Sequence, residues 1–544
     1  MESVVGIALV AALGFAPTWW SIVTLAAAAL GYAPMLLDLW RYRHVPGPLP
    51  VPVIGTMWRT GGQNLHRTYL ALERKYGRVF KLFYANKCVI VVFDVDSIRE
   101  IGLRKFSCFT NRPAAPPKMM AVLSEKERQP QIHGMLFARD AYWKGIRSTA
   151  HSILHNVEQL SSFCPLMKET AEELADRLDK VKEGEPIDIW RAFGDMTLDV
   201  VGSTIFGVRF NCVQSKGADA VKAARIIFRE AGLFGGSNPY LTLSFISPEF
   251  IIPVLKFFAT RFPTQGMEKT KWARTYLNSI SEEMYRLARQ ESAAGVADAP
   301  AGSNTTAAKA DTYEYNGNSF LKLFIQGHNR ETGQMFTKEE VLPQAFIFLL
   351  AGYETTANTL GYAIYLLAKN KDKERALIDE IDRLGEGKSD LPTVEELKSY
   401  EYLDAVLSEV LRITGPATLL VREASKDVVV GGHQLSKGTA VHMDIHGMHQ
   451  NPEYFPDPDK FLPERFVKGS NLYDKQNHKA HMPFGLGPRM CVASNFALVE
   501  AKLALITLFK RYRFDHNPHH KYATRMGVTL GPVNGIEVLV HKRK

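Results

Sequence analysis

Eleven residues near the C-terminal end constrain this chain most: Pro483-Phe484-Gly485-Leu486-Gly487-Pro488-Arg489-Met490-Cys491-Val492-Ala493. One cysteine stands just past a Gly-bounded turn. Beyond it, Phe496, Val499, Leu503 and Ile506 recur at spacings of three, four and three, which predicts a helix that starts close to Cys491 and buries that stripe. Free N–H groups at a helix start stabilise negative charge, and Arg489 adds a cation. The sulfur is therefore expected to ionise near neutral pH. A lone cysteine in an apolar setting is more often an inert core residue; an ionisable thiolate is the reading to weigh against it here.

Four other segments bear on the same chemistry. Glu409-Val410-Leu411-Arg412 lies in a helical stretch from Val406 to Arg412, where i,i+3 spacing puts carboxylate and guanidinium on one face. Downstream stands Phe461-Leu462-Pro463-Glu464-Arg465-Phe466. Ala351-Gly352-Tyr353-Glu354-Thr355-Thr356 lies inside a long apolar helix that opens with a Thr337, Glu340 capping box. A carboxylate there is costly unless it meets a partner or water. Trp143 and Arg147, four apart, share a helix face.

Taken in order, these segments resemble the cytochrome P450 family. The loop matches Phe-x-x-Gly-x-Arg-x-Cys-x-Gly except that Ala493 stands at the final Gly. The resemblance implies a mainly α fold with a smaller β-rich lobe. It also implies heme b held through Cys491, whose thiolate favours O–O cleavage, with Phe484 shielding the sulfur. By the same carry-over, Trp143, Arg147, Arg422 and Arg489, together with Arg112, would meet the heme propionates. Guanidinium forks suit such carboxylates. Glu354 and Thr355 would relay protons toward dioxygen, with Ala351 and Gly352 leaving room for it, and Glu409, Arg412 and Arg465 would form a structural triad. Local wording such as Leu136-Phe137-Ala138-Arg139-Asp140 and Val421-Arg422-Glu423-Ala424 is similar to the group containing thromboxane synthase, drug-oxidising liver enzymes and plant carlactone oxidases.

The chain has 544 residues, with no repeat or clear interdomain linker after its N-terminal segment. The expected organisation is a transmembrane anchor over 1–40, a basic and Pro-rich hinge over 41–55 and one catalytic domain over 56–544. No charged residue occurs from Ser3 to Leu37, and Pro17 leaves Trp19 to Leu37 as the candidate span. Glu2 and the absence of a basic leader argue against a cleaved signal peptide. Arg41 and Arg43 place the catalytic domain on the cytosolic side, so a single-pass protein of the endoplasmic reticulum membrane is expected. Five scattered cysteines without a CxxC pair suit a reducing compartment.

Tyr84 to Phe93 reads as strand and Asp94 to Arg104 as a short helix. Glu291 to Gly317 reads as an exposed loop. The apolar stretch from Gly235 to Phe262 is interrupted by Pro248, Glu249 and Pro253, which predicts a membrane-facing lid and lipophilic substrates.

A net charge of +9 without a Lys/Arg block excludes nucleic-acid binding as the leading reading. Lys144, Arg147, Lys502, Lys510, Arg511 and Arg513 are expected on the proximal side of the heme, a face suited to an acidic flavin domain. The resemblance names that partner as NADPH–cytochrome P450 reductase. The implied reaction is insertion of one oxygen atom of O2 into a lipophilic small molecule. A heme-thiolate isomerase or dehydratase acting on a peroxide, and a non-catalytic heme-based ligand-binding protein, stay open.

Overall fold

The computed structural model describes residues 33–60, 65–114, 117–124, 128, 132–230, 238–247, 251–294, 314–315, 319–387 and 390–543. Helices dominate. Those that position the site are α1 (Asp140–Leu154), α2 (Ile189–Val201), α3 (Lys338–Lys369), α4 (Glu401–Thr414) and α5 (Ser494–Arg511). The large core lies among them, where Leu360, Ile364, Leu403, Leu503 and Ile506 have no exposed surface. Burial of such side chains stabilises by about 1.5–3 kcal/mol each.

Helix α3 runs through this core for 32 residues. It starts where the capping box predicts: the Thr337 N–H donates to Glu340 Oε2 at 2.9 Å. Its middle is packed on nearly every side, which explains its apolar sequence.

The smaller lobe holds a four-stranded sheet of β1 (Val79–Tyr84), β2 (Lys87–Val92), β3 (Leu419–Glu423) and β4 (Ala440–Asp444), in the order β1-β2-β4-β3. β1 and β2 form a hairpin with Phe83 opposite Cys88, and Val89 of β2 pairs in parallel with Ala440 of β4. The strand expected over Tyr84–Phe93 is thus corrected to Lys87–Val92. Ala85, at φ 51°, turns the chain between two strands, so Tyr84 ends the first. The helix expected over Asp94–Arg104 is Val95–Arg99, capped by Asp94, running on as a π-helix over Glu100–Arg104.

Near the C-terminus a hairpin of β5 (Thr524–Met526) and β6 (Leu530–Pro532) returns to α3. The loop expected from Glu291 starts later, because a helix continues through Ala294. Glu314–Tyr315 pairs with Val208–Arg209, and the rest of the expected loop is outside the described residues.

The expected span over Trp19–Leu37 lies outside the described residues up to position 32; residues 33–41 are helical. Among the described residues no helix is long and apolar enough to cross a membrane. Within the expected lid, helices Pro239–Ile246 and Ile252–Arg261 leave Val254, Phe257, Phe258 and Phe262 exposed. Pro248 and Glu249 fall outside the described residues.

Candidate active site

The cysteine loop is set by backbone. Gly485 and Gly487 adopt φ 79° and 67°, a region that favours glycine. A Cβ on Gly487 would lie 2.0 Å from the Gly102 carbonyl oxygen, so the turn docks directly on the π-helix. The Cys491 N–H closes the loop on the Phe484 carbonyl at 2.8 Å, while the Phe484 ring is half-buried. Ala493 has φ −106°, so alanine sits there without strain, and α5 begins at the next residue.

Cys491 is the one exposed cysteine; Cys88, Cys108, Cys164 and Cys212 are buried. It nevertheless lies deep in the fold, where burial pushes its thiol up. The Ala493 N–H and the Arg147 and Arg112 guanidiniums pull in the opposite direction without overcoming burial. The expectation that the free thiol ionises near neutral pH is therefore corrected: desolvation outweighs the helix start. A bound metal ion is what deprotonates such a sulfur.

The Arg489 fork is committed to backbone carbonyls. Nε donates to the Thr110 carbonyl at 2.9 Å, Nη1 to Met135 at 3.3 Å and Nη2 to Ala138 at 2.7 Å. Its guanidinium lies 3.9 Å from the Trp143 ring centre. Both Nη groups retain a second hydrogen.

Around it stand further cations. Arg112 donates to the Leu136 carbonyl at 2.5 Å. Arg422, 1% exposed, donates from Nη1 to its neighbour's carbonyl at 2.8 Å, and its buried Nε has no partner. Burial, then the adjacent guanidiniums, lower Arg112 to about 10, Arg422 to about 9 and Arg489 to about 8; burial also lowers Arg147. Crowded cations of this kind call for an anion.

Across the core, Ala351 is exposed although it lies in the middle of α3, and Thr355 one turn on is half-buried. The Thr355 hydroxyl donates to the Ala351 carbonyl at 2.5 Å. Glu354 is pushed up to about 7, first by burial, against the opposing effects of Thr529 and Arg525. Its Oε2 is buried without a partner. Thr529, in the β5–β6 turn, also accepts from Asn358 Nδ2 at 3.3 Å, and Trp190 of α2 donates to Asn358 Oδ1 at 2.7 Å. The sequence reading missed this bracket, although Asn358 one turn after Glu354 was a usable signal.

The structure also brings Glu409, Arg412 and Arg465 together. Arg412 donates from Nε and Nη2 to Glu409 at 2.7 and 2.9 Å, and Arg465 Nε donates to Glu409 Oε1 at 3.2 Å. All three are essentially unexposed. Further donors meet the carbonyls of His449, Pro458 and Asp457, and Arg465 Nη1 donates to Gln476 Oε1 at 3.2 Å.

The Cytochrome P450 family model matches residues 45–536. The chain belongs to the cytochrome P450 family. It is an oxidoreductase of that class. Among curated relatives, Thromboxane-A synthase of Sus scrofa is 29% identical over 510 residues, covering 91% of each chain. Cytochrome P450 3A6 of Oryctolagus cuniculus is 29% identical over 509 residues, again 91% of each chain. Cytochrome P450 3A1 of Rattus norvegicus is 27% identical over 505 residues, 92% of this chain and 91% of the relative.

The residues fit the heme-thiolate of a cytochrome P450. The deep sulfur keeps an open side, the guanidiniums want anionic partners, and the orphaned Arg422 Nε is a donor in wait. Several of the cations expected on the proximal side have acidic partners. Lys502 is buried against Asp404 at 2.7 Å, Arg511 pairs with Glu172 and Asp176, and Lys144 reaches Glu331 at 2.9 Å. Arg147 acts on Cys491 and Arg112 inside the site.

Proposed function

We propose that this cytochrome P450 is a membrane-anchored monooxygenase. It inserts one oxygen atom of O2 into a lipophilic small molecule, with electrons from NADPH delivered by NADPH–cytochrome P450 reductase. Bound heme supplies dioxygen activation and oxygen insertion at a C–H bond. Cys491 is its iron ligand; Arg112, Arg147, Arg422 and Arg489, with Trp143, hold its propionates. Phe484 closes the loop over the sulfur, and the Glu409–Arg412–Arg465 triad locks the segment behind it.

The observation that carries the reading is Glu354. A carboxyl near pKa 7 with one unpartnered oxygen can hold a proton at neutral pH and release it, as a general acid should. The Thr355 hydroxyl, turned to its own helix carbonyl, can rotate to pass that proton on. Thr529, itself held by Asn358, keeps the carboxyl in place. The exposed aromatic face around Phe257 and Phe258 suits contact with a lipid surface from which an apolar substrate arrives. The expected setting is the endoplasmic reticulum membrane, with the anchor in the apolar N-terminal run and the catalytic domain cytosolic.

Thr355→Ala tests the relay. It should keep the heme spectrum and reductase-driven NADPH consumption while diverting electrons to peroxide; product per NADPH equal to wild type contradicts the role. The Thromboxane-A synthase relatives favour one second reading, rearrangement of a preformed peroxide, which needs neither NADPH nor Glu354.

A further inference from the structure

A cavity of about 930 Å³ runs between the β lobe, the β5–β6 hairpin and the lid, with Leu420, Phe137 and Phe245 among its apolar walls. Its volume is that of a small-molecule site. Its charge is unbalanced: six Lys and Arg side chains line it against two carboxylates. Both carboxylates are already engaged, Asp38 with Arg41 at 3.1 Å and Glu423 with Arg139 at 2.7 Å.

Arg525 is the lining cation whose charge acts on Glu354. In β5 it stands directly opposite Gly531 of β6. Residues paired this way project from the same face of the hairpin. A Cβ on Gly531 would lie 3.6 Å from Glu354 Oε1, so that face looks onto the acid of α3, and the missing side chain leaves the space open. The hairpin is held rigidly: Asn358 donates to the Leu530 carbonyl at 3.1 Å, the Leu530 N–H donates to Pro416 at 2.9 Å, and the Thr418 hydroxyl donates to Met526 Sδ at 2.8 Å. Arg525 itself is half-buried, and among the described residues it makes no hydrogen bond or ion pair; its one electrostatic relation is its pull on Glu354. A planar fork on a fixed hairpin, facing an apolar cavity with surplus positive charge, is built to take a carboxylate.

We propose that Arg525 anchors a carboxylate of the substrate, so that the lipophilic molecule of the monooxygenase reading, on which this inference rests, is an amphiphilic acid. Held by its head group, the chain would lie along the apolar walls in a fixed register, which selects the position presented for reaction.

The test uses the full-length heme-loaded protein in detergent. Saturated carboxylic acids of graded chain length and their methyl esters are titrated, and binding is read from the substrate-induced change in the heme spectrum. At least one acid should bind on the order of tenfold or more tightly than its ester, the worth of a charge-assisted hydrogen bond. Arg525→Gln should abolish that preference, and Arg525→Lys should keep part of it. If no acid binds better than its ester in the wild type, or if Arg525→Gln retains the preference with its heme spectrum intact, the proposal is overturned. Should Arg525→Gln fail to hold heme, the wild-type comparison and Arg525→Lys still decide. The monooxygenase reading fails separately, by absence of NADPH-dependent oxygen incorporation, and leaves the acid-to-ester ratio readable.

Discussion

The guanidinium of Arg489 lies 3.9 Å from the ring centre of Trp143, with a backbone carbonyl on each of its three nitrogens. This makes Arg489 a clamp between the cysteine loop and the segment from Thr110 to Ala138 as well as a propionate candidate. Lysine keeps the charge but has neither the fork nor the flat stacking face. Arg489→Lys should lower heme content per protein several-fold, measured by absorbance against protein mass. Full heme content in that variant would leave the clamp without a role.

Arg422 carries a sharper expectation, because heme and apoprotein should respond with opposite sign. Its buried cation lacks a partner at Nε and is pushed down to about 9. Arg422→Gln removes that strain from the apoprotein, raising its stability by about 1–2 kcal/mol, while weakening heme retention by a similar or larger amount. Denaturant midpoints of both forms, with heme transfer to apomyoglobin, check both signs.

For the triad, both guanidiniums depend on one carboxylate with no exposed surface. Glu409→Ala leaves two buried cations uncompensated and should cost about 3–5 kcal/mol. Chemical denaturation of whatever folded protein can be recovered gives the value; a loss below about 1 kcal/mol, the level of a surface pair, contradicts the assignment.

Glu354 sets a pH dependence. Its pKa is raised from the ordinary carboxyl value to about 7, so the proton donor is filled below pH 7 and empties as pH rises through it. Product formed per NADPH should therefore fall on the alkaline side of about pH 7. The same shift has a stability cost: ionising this buried group destabilises the fold progressively as pH rises from the unfolded carboxyl value, about 4.3, to 7, and by a constant amount above. Glu354→Gln should flatten the alkaline limb of the coupling profile at a lower plateau. An unchanged limb in that variant assigns the titration to another group.

What the sequence made legible was local. Cys491, Trp143 with Arg147, and Glu409 with Arg412 lie in short segments whose spacing states the geometry, and the capping box fixed the start of α3. What escaped it depends on distant contacts. The partner of Glu354 is Thr529, in a hairpin far along the chain, and the anchors of Arg489 are backbone carbonyls, which no side-chain motif names. The burial that pushes the Cys491 thiol up comes from the surrounding fold and not from its own segment, so a helix-start argument alone missed it, although one side of the sulfur stays open. The Tyr84 boundary failed for a simpler reason: a run of apolar residues does not mark where Ala85 adopts positive φ.

The most direct measurement is oxygen incorporation. The membrane protein, reductase and NADPH are supplied with a lipophilic metabolite extract under heavy-isotope dioxygen, and new products are searched for label by mass spectrometry. A monooxygenase should yield a product carrying one labelled oxygen atom, formed only with NADPH and depleted in the Thr355→Ala variant. A product that forms without NADPH and carries no label contradicts that function and makes this cytochrome P450 a catalyst of rearrangement instead.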